Sequence, residues 1–260
     1  LVVIPVGNNP ASISYVKAKE RACEKVGILC HVERLEENVS EGELIKYINA
    51  LNLDSETHGM IVQLPLPKGL DEEKIIQSIS PIKDVDGLSN ENLGLLASGN
   101  PRFVPATPLG VQVLLHEINA KTEGSNIVII GRSKLVGIPL ALLLSSKSDL
   151  GNASVTICHS KSKNIKAHTI KADIVVVATG FPHTLTADMV RKDSVVIDVG
   201  VNRIEDKSKK NGYRLIGDCD FEEIYEIASK ITPVPGGVGP MTIAMLLKNV
   251  TKAFLLNVKK

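Results

Sequence analysis

The sequence predicts an α/β protein made of two units, and three observations carry that prediction. Short apolar runs alternate with stretches of helical period almost from end to end. Aromatic residues make up 3% of the chain and none is tryptophan, beside many Val, Ile, Leu, Ala and Gly, which suits buried parallel strands better than a β-sandwich. The alternation lapses once, between Pro81 and Pro105, and then begins again; 260 residues are enough for two modest domains.

The first series opens on LVVIPV, which reads as a strand already under way at residue 1, so an upstream segment is expected. Asn9 and Pro10 then look like an N-cap and a first-turn proline, and Gly27 like a helix stop, which makes SISYVKAKERA helical. On that helix Tyr15 and Lys19, four residues apart, share a face, while Lys17 points elsewhere. ILCHVERL, a helix near Glu41 to Leu51, GMIVQLPL and a helix after Asp71 complete a βαβαβα series. The segment from Pro81 to Pro105 is rich in Gly, Asn, Ser and Pro and reads as a long loop of the kind that is usually functional or disordered. A helix at about Pro108 to Asn119 crosses into the second series, whose strands are NIVIIG, ASVTICH, DIVVVAT and SVVIDVG. A polar hairpin-like insert, EDKSKKNG, precedes ITPVPGG, and from Pro240 an amphipathic helix carries Met241, Ala244, Leu247 and Val250 on one side. No internal repeat is visible at a fixed period.

Charge and cysteine usage narrow the function class. Lys+Arg 30 against Asp+Glu 29 leaves a formal net charge of +1, with no basic field to attract nucleic acid. Cys23, Cys30, Cys158 and Cys219 form no C-x-x-C pair and no metal-ligand spacing with the histidines, so they read as reduced thiols and no metal is expected. No signal peptide is recognisable, and the apolar runs fall far short of the roughly 20 residues that span a bilayer. A soluble, cytoplasmic protein without a membrane partner is the expectation.

NIVIIGRSKLVGIPLALLL is a strand, a glycine turn and a helix, the setting in which a helix N-terminus holds a pyrophosphate. Gly131 stands where the tight turn needs it and Gly137 where helix and strand approach, but Ser133 replaces the middle glycine of G-x-G-x-x-G. The next strand ends in Cys158, His159, Ser160 and Lys161, without the acid that takes a ribose 2′-hydroxyl. Arg132 and a nearby hydroxyl suit a 2′-phosphate instead, which favours NADP over NAD. His159 and Lys161 also read simply as a polar strand end.

Three further stretches are unusual for a plain sheet domain. IVQLPLP puts Gln63 at a strand's C-terminal end, where open α/β sheets place their ligands, although a loop amide closing its own turn reads the same way. PIKDVDG crowds Lys83, Asp84 and Asp86 beside Gly87; one carboxylate could take paired N–H donors from a flat heterocycle, or either could close an Asx-turn. ITPVPGGVGPMT is a double-glycine turn between prolines that lets backbone approach a ligand closely, or makes a tight connection.

Taken in order, PAS..YVKAK, VQLPLP, KDVDG, PATPLG, GRSKLVGIP, CHS, VATG, DVGVN, GDCDF and TPVPGGVGPMT make the chain resemble the bifunctional methylenetetrahydrofolate dehydrogenase/methenyltetrahydrofolate cyclohydrolase (FolD) family over essentially its whole length. The resemblance implies an N-terminal three-layer α/β catalytic domain and a Rossmann-type NADP-binding domain with a cleft between them. The domains would be residues 1–115, completed by the C-terminal helix 240–260, and residues 116–239. It implies NADP-linked oxidation of 5,10-methylenetetrahydrofolate to the 5,10-methenyl cation, then hydration to 10-formyltetrahydrofolate, in a homodimer. By position Lys19 matches the catalytic lysine, Tyr15 the tyrosine over the substrate, Gln63 the glutamine that tunes the lysine, and Asp86 the carboxylate that holds the pterin. Val62 and Leu64 flank Gln63 on the substrate side, and Pro235, Gly236, Gly237, Val238 and Gly239 match the substrate-side loop. Gly131, Arg132 and Ser133 match the cofactor turn, Ser160 a second contact to the 2′-phosphate, and Val201 a backbone contact near the nicotinamide. Ala106 stands where the family often has a cysteine that is not a nucleophile.

The chemistry explains why such residues would be wanted. Hydrating a methenyl cation needs a proton acceptor for water and then a donor to the nitrogen that leaves, and one amine serves both turns if partial burial and a polar neighbour bring its pKa towards neutrality. Lys19 is the candidate, Tyr15 can stack on the folate, and Gln63 can hold the amine without a fixed countercharge. The alternatives are a monofunctional dehydrogenase of the same family, a catalytically silent folate- or nucleotide-binding module, and an α/β dehydrogenase for another small substrate such as shikimate.

Overall fold

The structure, a computed structural model, describes residues 1–209 and 212–258 and divides into two compact units. The first comprises Leu1–Ala106 and Ile243–Lys260, the second Thr107–Thr242.

In the first unit β1 (Val2–Pro5), β2 (His31–Val32) and β3 (Met60–Gln63) form a parallel sheet in the order β2-β1-β3. Alternation along the strands sorts their side chains onto two faces. Val3 and Ile61 pack on one side with Val16 and Cys23 of α1 (Pro10–Lys25) and Leu246, Val250 and Ala253 of the C-terminal helix. Val2, Ile4, Met60 and Val62 pack on the other with Leu44 and Ile48 of α2 (Glu41–Leu53) and Ile75 and Ile76 of α3 (Glu72–Gln77). The unit is therefore three-layered. The predicted signals act as read: Asn9 Oδ1 accepts from Ser12 N at 3.3 Å to start α1, and after it Gly27 adopts φ +74 while Ile28 N returns to Cys23 O at 2.9 Å.

Two expectations in this unit change. ILCHVERL contributes only His31–Val32 to the ladder, with an isolated bridge from Leu35 to Val6, because its polar residues lie at a sheet edge. The segment from Pro81 to Pro105 is not all loop. It contains α4 (Asn90–Ala97), started by the Ser89 side chain accepting from Asn92 N and anchored by buried Leu96.

The second unit starts from α5 (Ala106–Glu117), whose first residue closes the first unit, and holds a five-stranded parallel sheet. Its strands are β4 (Asn126–Ile130), β5 (Ser154–Cys158), β6 (Ile174–Val177), β7 (Val195–Asp198) and β10 (Lys230–Ile231), in the order β10-β7-β6-β4-β5. Strand order reverses at β4, with β5 on one side and β6 on the other, which is the switch point where such sheets bind ligands. Helices α6 (Gly137–Ser145) and α7 (Ile165–Thr169) follow β4 and β5. The polar insert is bracketed by an antiparallel hairpin, β8 (Asn202–Glu205) with β9 (Tyr213–Ile216), while its Lys210 and Asn211 lie outside the described residues. A short helix α8 (Phe221–Tyr225) precedes β10.

The last helix, α9 (Val238–Val258), begins two residues before Pro240. Its buried stripe also differs from the expected one: Ala244 is exposed, and Leu246, Asn249, Val250 and Ala253 turn inward. Asn249 belongs there because its amide donates to Val85 O at 2.9 Å and Val104 O at 2.8 Å, so a polar residue completes a core that periodicity of apolar residues alone does not reveal.

Candidate active site

Helix α1 presents Val16, Lys19 and Cys23 along one buried stripe, at the i, i+3, i+7 spacing of a single face. Lys19 is only 8% exposed, an unusual place for an amine. On β3, Ile61 and Gln63 point to the α1 side of the sheet while Met60 and Val62 point away. Register pairs Gln63 with Pro5 at the strand end, and there Lys19 Nζ donates to Gln63 Oε1 at 3.1 Å. The Gln63 Nε2 donates to Leu64 O at 2.8 Å, which fixes the amide so that its oxygen faces the amine. The amide thus closes its own turn and holds the lysine at once. Lys19 has no ion-pair partner among the described residues.

Tyr15, one turn before Lys19, is 38% exposed, and partial burial pushes its phenol above the ordinary tyrosine value. Of the two carboxylates in KDVDG, Asp84 closes the turn. Its Oδ1 accepts from Gly87 N at 3.0 Å, and its Oδ2 from Ser89 N at 2.7 Å and Asn92 Nδ2 at 2.9 Å. Asp86 has no hydrogen-bond partner among the described residues. Desolvation raises its carboxyl pKa, the Lys19 charge works against that rise, and Asp84 reinforces it. The frame around Asp86 is tight: Asn249 holds the Val85 carbonyl before it, and Gly87 after it has φ +71 with a Cβ position 3.1 Å from Pro105 N. Lys83 points away to cap α2, donating to Leu51 O at 2.8 Å and Asp54 O at 2.6 Å, and burial lowers its pKa.

Tyr15, Lys19, Gln63 and Asp86 therefore belong to one unit, with Lys19 joined directly to Gln63. Val62 turns its side chain into the core beneath α2 and α3, and Leu64 packs against that same core. The Pro235–Gly239 stretch belongs to the second unit up to the start of α9. Gly236 takes φ +113, Gly237 N donates to Pro233 O at 2.9 Å, and Val238 is buried against Val111 and Leu115. Its glycines thus make a self-bonded turn, with Val238 acting as a core residue.

In the second unit the cofactor turn follows β4. Gly131 has φ +138, and a Cβ there would lie 2.4 Å from Ala178 O; a Cβ on Gly137 would lie 2.1 Å from Gly131 O. The strand and helix pack too closely for any other residue at either position. Ser133 Oγ accepts from Val136 N at 3.1 Å and keeps its own proton to donate. Arg132 and Ser160 are exposed and make no hydrogen bond or ion pair among the described residues, one beside the turn and the other past the end of β5. The residues that end β5, Cys158 to Lys161, include no acid, and His159 closes its own turn by accepting from Lys161 N at 3.2 Å. Val201, exposed, follows β7. These features fit a dinucleotide carrying a 2′-phosphate: a turn stripped of Cβ atoms, a nine-residue helix behind it without a side-chain cap, and an unpaired guanidinium and hydroxyl at the corner.

Sequence reasoning passed over Asp198 and Asp218, both buried at the ends of β7 and β9. Their only local signal is the pair of acid–glycine neighbours in DVG and GDCD. The four cysteines are free thiols, and among the described residues no group of three or more His, Cys, Asp or Glu is placed to hold a metal ion. No described helix is long and apolar enough to cross a membrane.

Comparison with known proteins gives a consistent result. Residues 1–86 match the catalytic domain of tetrahydrofolate dehydrogenase/cyclohydrolase, and residues 105–258 match its NAD(P)-binding domain. The chain is 50% identical over 256 residues to the bifunctional protein FolD of Pelodictyon phaeoclathratiforme, covering 98% of this chain and 87% of that one. It superimposes with a TM-score of 0.90 on the bifunctional FolD enzyme of Campylobacter jejuni, at 47% identity over 98% of this chain and 88% of that one. With the Trypanosoma brucei methylenetetrahydrofolate dehydrogenase-cyclohydrolase, solved with NADP and an inhibitor, the TM-score is 0.94 at 36% identity, over 100% of this chain and 87% of that one.

Proposed function

The chain belongs to the tetrahydrofolate dehydrogenase/cyclohydrolase family, and from that premise we propose the residue roles by which it works. It is a bifunctional enzyme: it oxidises 5,10-methylenetetrahydrofolate with NADP and hydrolyses the resulting 5,10-methenyl compound to 10-formyltetrahydrofolate. The observation that carries the roles is the buried Lys19 amine, held at 3.1 Å by an uncharged amide.

Gly131, Arg132, Ser133 and Ser160 hold the NADP pyrophosphate and 2′-phosphate, and the Val201 backbone meets the nicotinamide end. The bound NADP supplies the hydride acceptor. Asp86 takes the paired N–H donors of the pterin, and Tyr15 lies over the folate ring with its hydroxyl towards the reacting nitrogen. The backbones of Val62 and Leu64 and of Pro235–Gly239 line the substrate's path. In the second reaction Lys19, as the free amine, takes a proton from the water that attacks the methenyl carbon. As the ammonium it then returns a proton to N5 as the C–N5 bond breaks, while the remaining carbinol O–H proton leaves to solvent as the carbonyl forms, so that the formyl group stays on N10 and one proton is released per turnover. Gln63 aims the amine throughout without adding a charge that would hold it protonated. We further propose a cytoplasmic homodimer joined through the cofactor-binding unit.

Two absorbance assays on the purified protein test this reading. The expected outcome is NADPH formation from methylenetetrahydrofolate and NADP, together with loss of methenyltetrahydrofolate absorbance above the spontaneous rate without cofactor. Reduction without hydrolysis would make it a monofunctional dehydrogenase, and folate binding with neither activity would make it a silent module. Light scattering at twice the chain mass tests the dimer.

A further inference from the structure

We propose that Asp218 is a positioning residue for the nicotinamide half of the bound dinucleotide, holding the two loops that flank that half in one arrangement. The inference rests on the NADP reading above and extends it to a residue outside the cofactor turn.

The direction of the dinucleotide follows from strand order. β4 carries the pyrophosphate turn and β5, on one side of it, carries Ser160 for the 2′-phosphate, so the other end of the molecule runs over the ends of β6 and β7. Two loops leave the sheet there: Thr179–Gly180 after β6, and Gly200–Asn202, with Val201 at its centre, after β7. Each has a local contact, Thr179 Oγ1 with Thr184 Oγ1 at 2.9 Å in the first and Gly200 N to Asp198 Oδ1 at 3.1 Å in the second, but neither contact joins one loop to the other. Both are held by Asp218, which is fully buried at the end of β9.

The carboxylate accepts four donors. Its Oδ2 takes Thr179 N at 2.7 Å, Gly180 N at 2.9 Å and Thr179 Oγ1 at 3.0 Å, and its Oδ1 takes Asn202 Nδ2 at 2.8 Å. An ionised carboxylate offers about four lone-pair sites, so the set is saturated. A second carboxylate fixes the first: Asp198 Oδ1 accepts from Asp218 N at 2.9 Å and Gly200 N at 3.1 Å, and Oδ2 from Cys219 N at 2.9 Å. The interlock explains two glycines. A Cβ on Gly200 would lie 2.0 Å from Asp218 Oδ1, and one on Gly217 would lie 1.9 Å from Asp198 Oδ2. Val201 itself is exposed and has bound neighbours on both sides, as suits a backbone that presents itself to a ligand.

The substitution Asp218→Asn keeps the shape and turns one acceptor into a donor facing donors, so one loop must let go. The full-length variant and parent are compared by calorimetric titration with NADP and with adenosine 2′,5′-bisphosphate, which lacks the nicotinamide half, and by methenyltetrahydrofolate hydrolysis without cofactor. The expected result is about tenfold weaker NADP binding, the scale of one lost hydrogen bond to a charged group, with bisphosphate affinity and hydrolysis rate unchanged. Asn202→Ala, which removes only the donor from the Val201 loop, is expected to give a smaller loss of the same selectivity and serves if Asp218→Asn does not fold. Equal weakening of both ligands, or unchanged NADP affinity in both variants, overturns the proposal. A parent protein that binds neither ligand overturns the dinucleotide reading itself.

Discussion

Replacing Gln63 by glutamate changes one atom and tests why an amide stands beside Lys19. The carboxylate would sit 3.1 Å from an amine that is 8% exposed. Coulomb's law at that distance with an effective dielectric of about 20 gives roughly 5 kcal/mol favouring the ammonium. Burying the new carboxylate offsets part of this, and its second oxygen meets Leu64 O, an acceptor now bonded to the amide at 2.8 Å. With roughly half the gain surviving, the free amine becomes about 10²-fold scarcer near neutrality. Cyclohydrolase kcat should fall by about that factor with KM for the methenyl compound nearly unchanged. Gln63→Leu, which loses the hydrogen bond and adds no charge, should cost less. The assay is loss of methenyl absorbance near neutral pH, corrected for the spontaneous rate. A Gln63→Glu enzyme with parental kcat would refute the role of charge at this position.

Three other substitutions probe the remaining parts. Asp86 has its carboxyl raised by burial, so in the folded state its charge costs stability above that raised pKa and the cost fades as pH falls through it. Asp86→Asn should therefore raise the melting temperature at neutral pH, converge with the parent on acidification, and still raise the folate KM about tenfold or more through the lost paired acceptor. Gly131→Ala puts a methyl 2.4 Å from Ala178 O and should abolish measurable NADP binding by calorimetry while sparing hydrolysis of the methenyl compound. Asn249→Ala leaves the Val85 and Val104 carbonyls without their donor and should destabilise the first unit by roughly 2–4 kcal/mol, read as a drop of about 5–15 °C in thermal denaturation.

The layout of the chain was legible because parallel strands and their crossover helices leave strong periodic traces. The glycine turn was legible because Gly131 and Gly137 answer to close approach between backbone segments. Lys19 and Gln63 stood out separately, one on a helical face and one at a strand end; their contact spans 44 positions and no local pattern encodes it. The two aspartates of KDVDG share one local signature, and what separates them is Ser89 and Asn92, whose donors claim Asp84 and leave Asp86 free. The helix Asn90–Ala97 hid in a polar segment because its serine cap and asparagines resemble turn residues. Asp218 was invisible for the reason that makes it interesting: its donors lie 16 to 39 positions away and converge only when β6, β7 and the hairpin are in place.

The most direct test of the central claim is the hydrolysis of methenyltetrahydrofolate by Lys19→Met, a variant that fills the same buried stripe without an amine. If Lys19 is the proton carrier, the folded variant should lose roughly 10²–10⁴-fold in kcat, while its NADP affinity stays at the parental value. A folded Lys19→Met that hydrolyses the substrate at the parental rate would contradict the account.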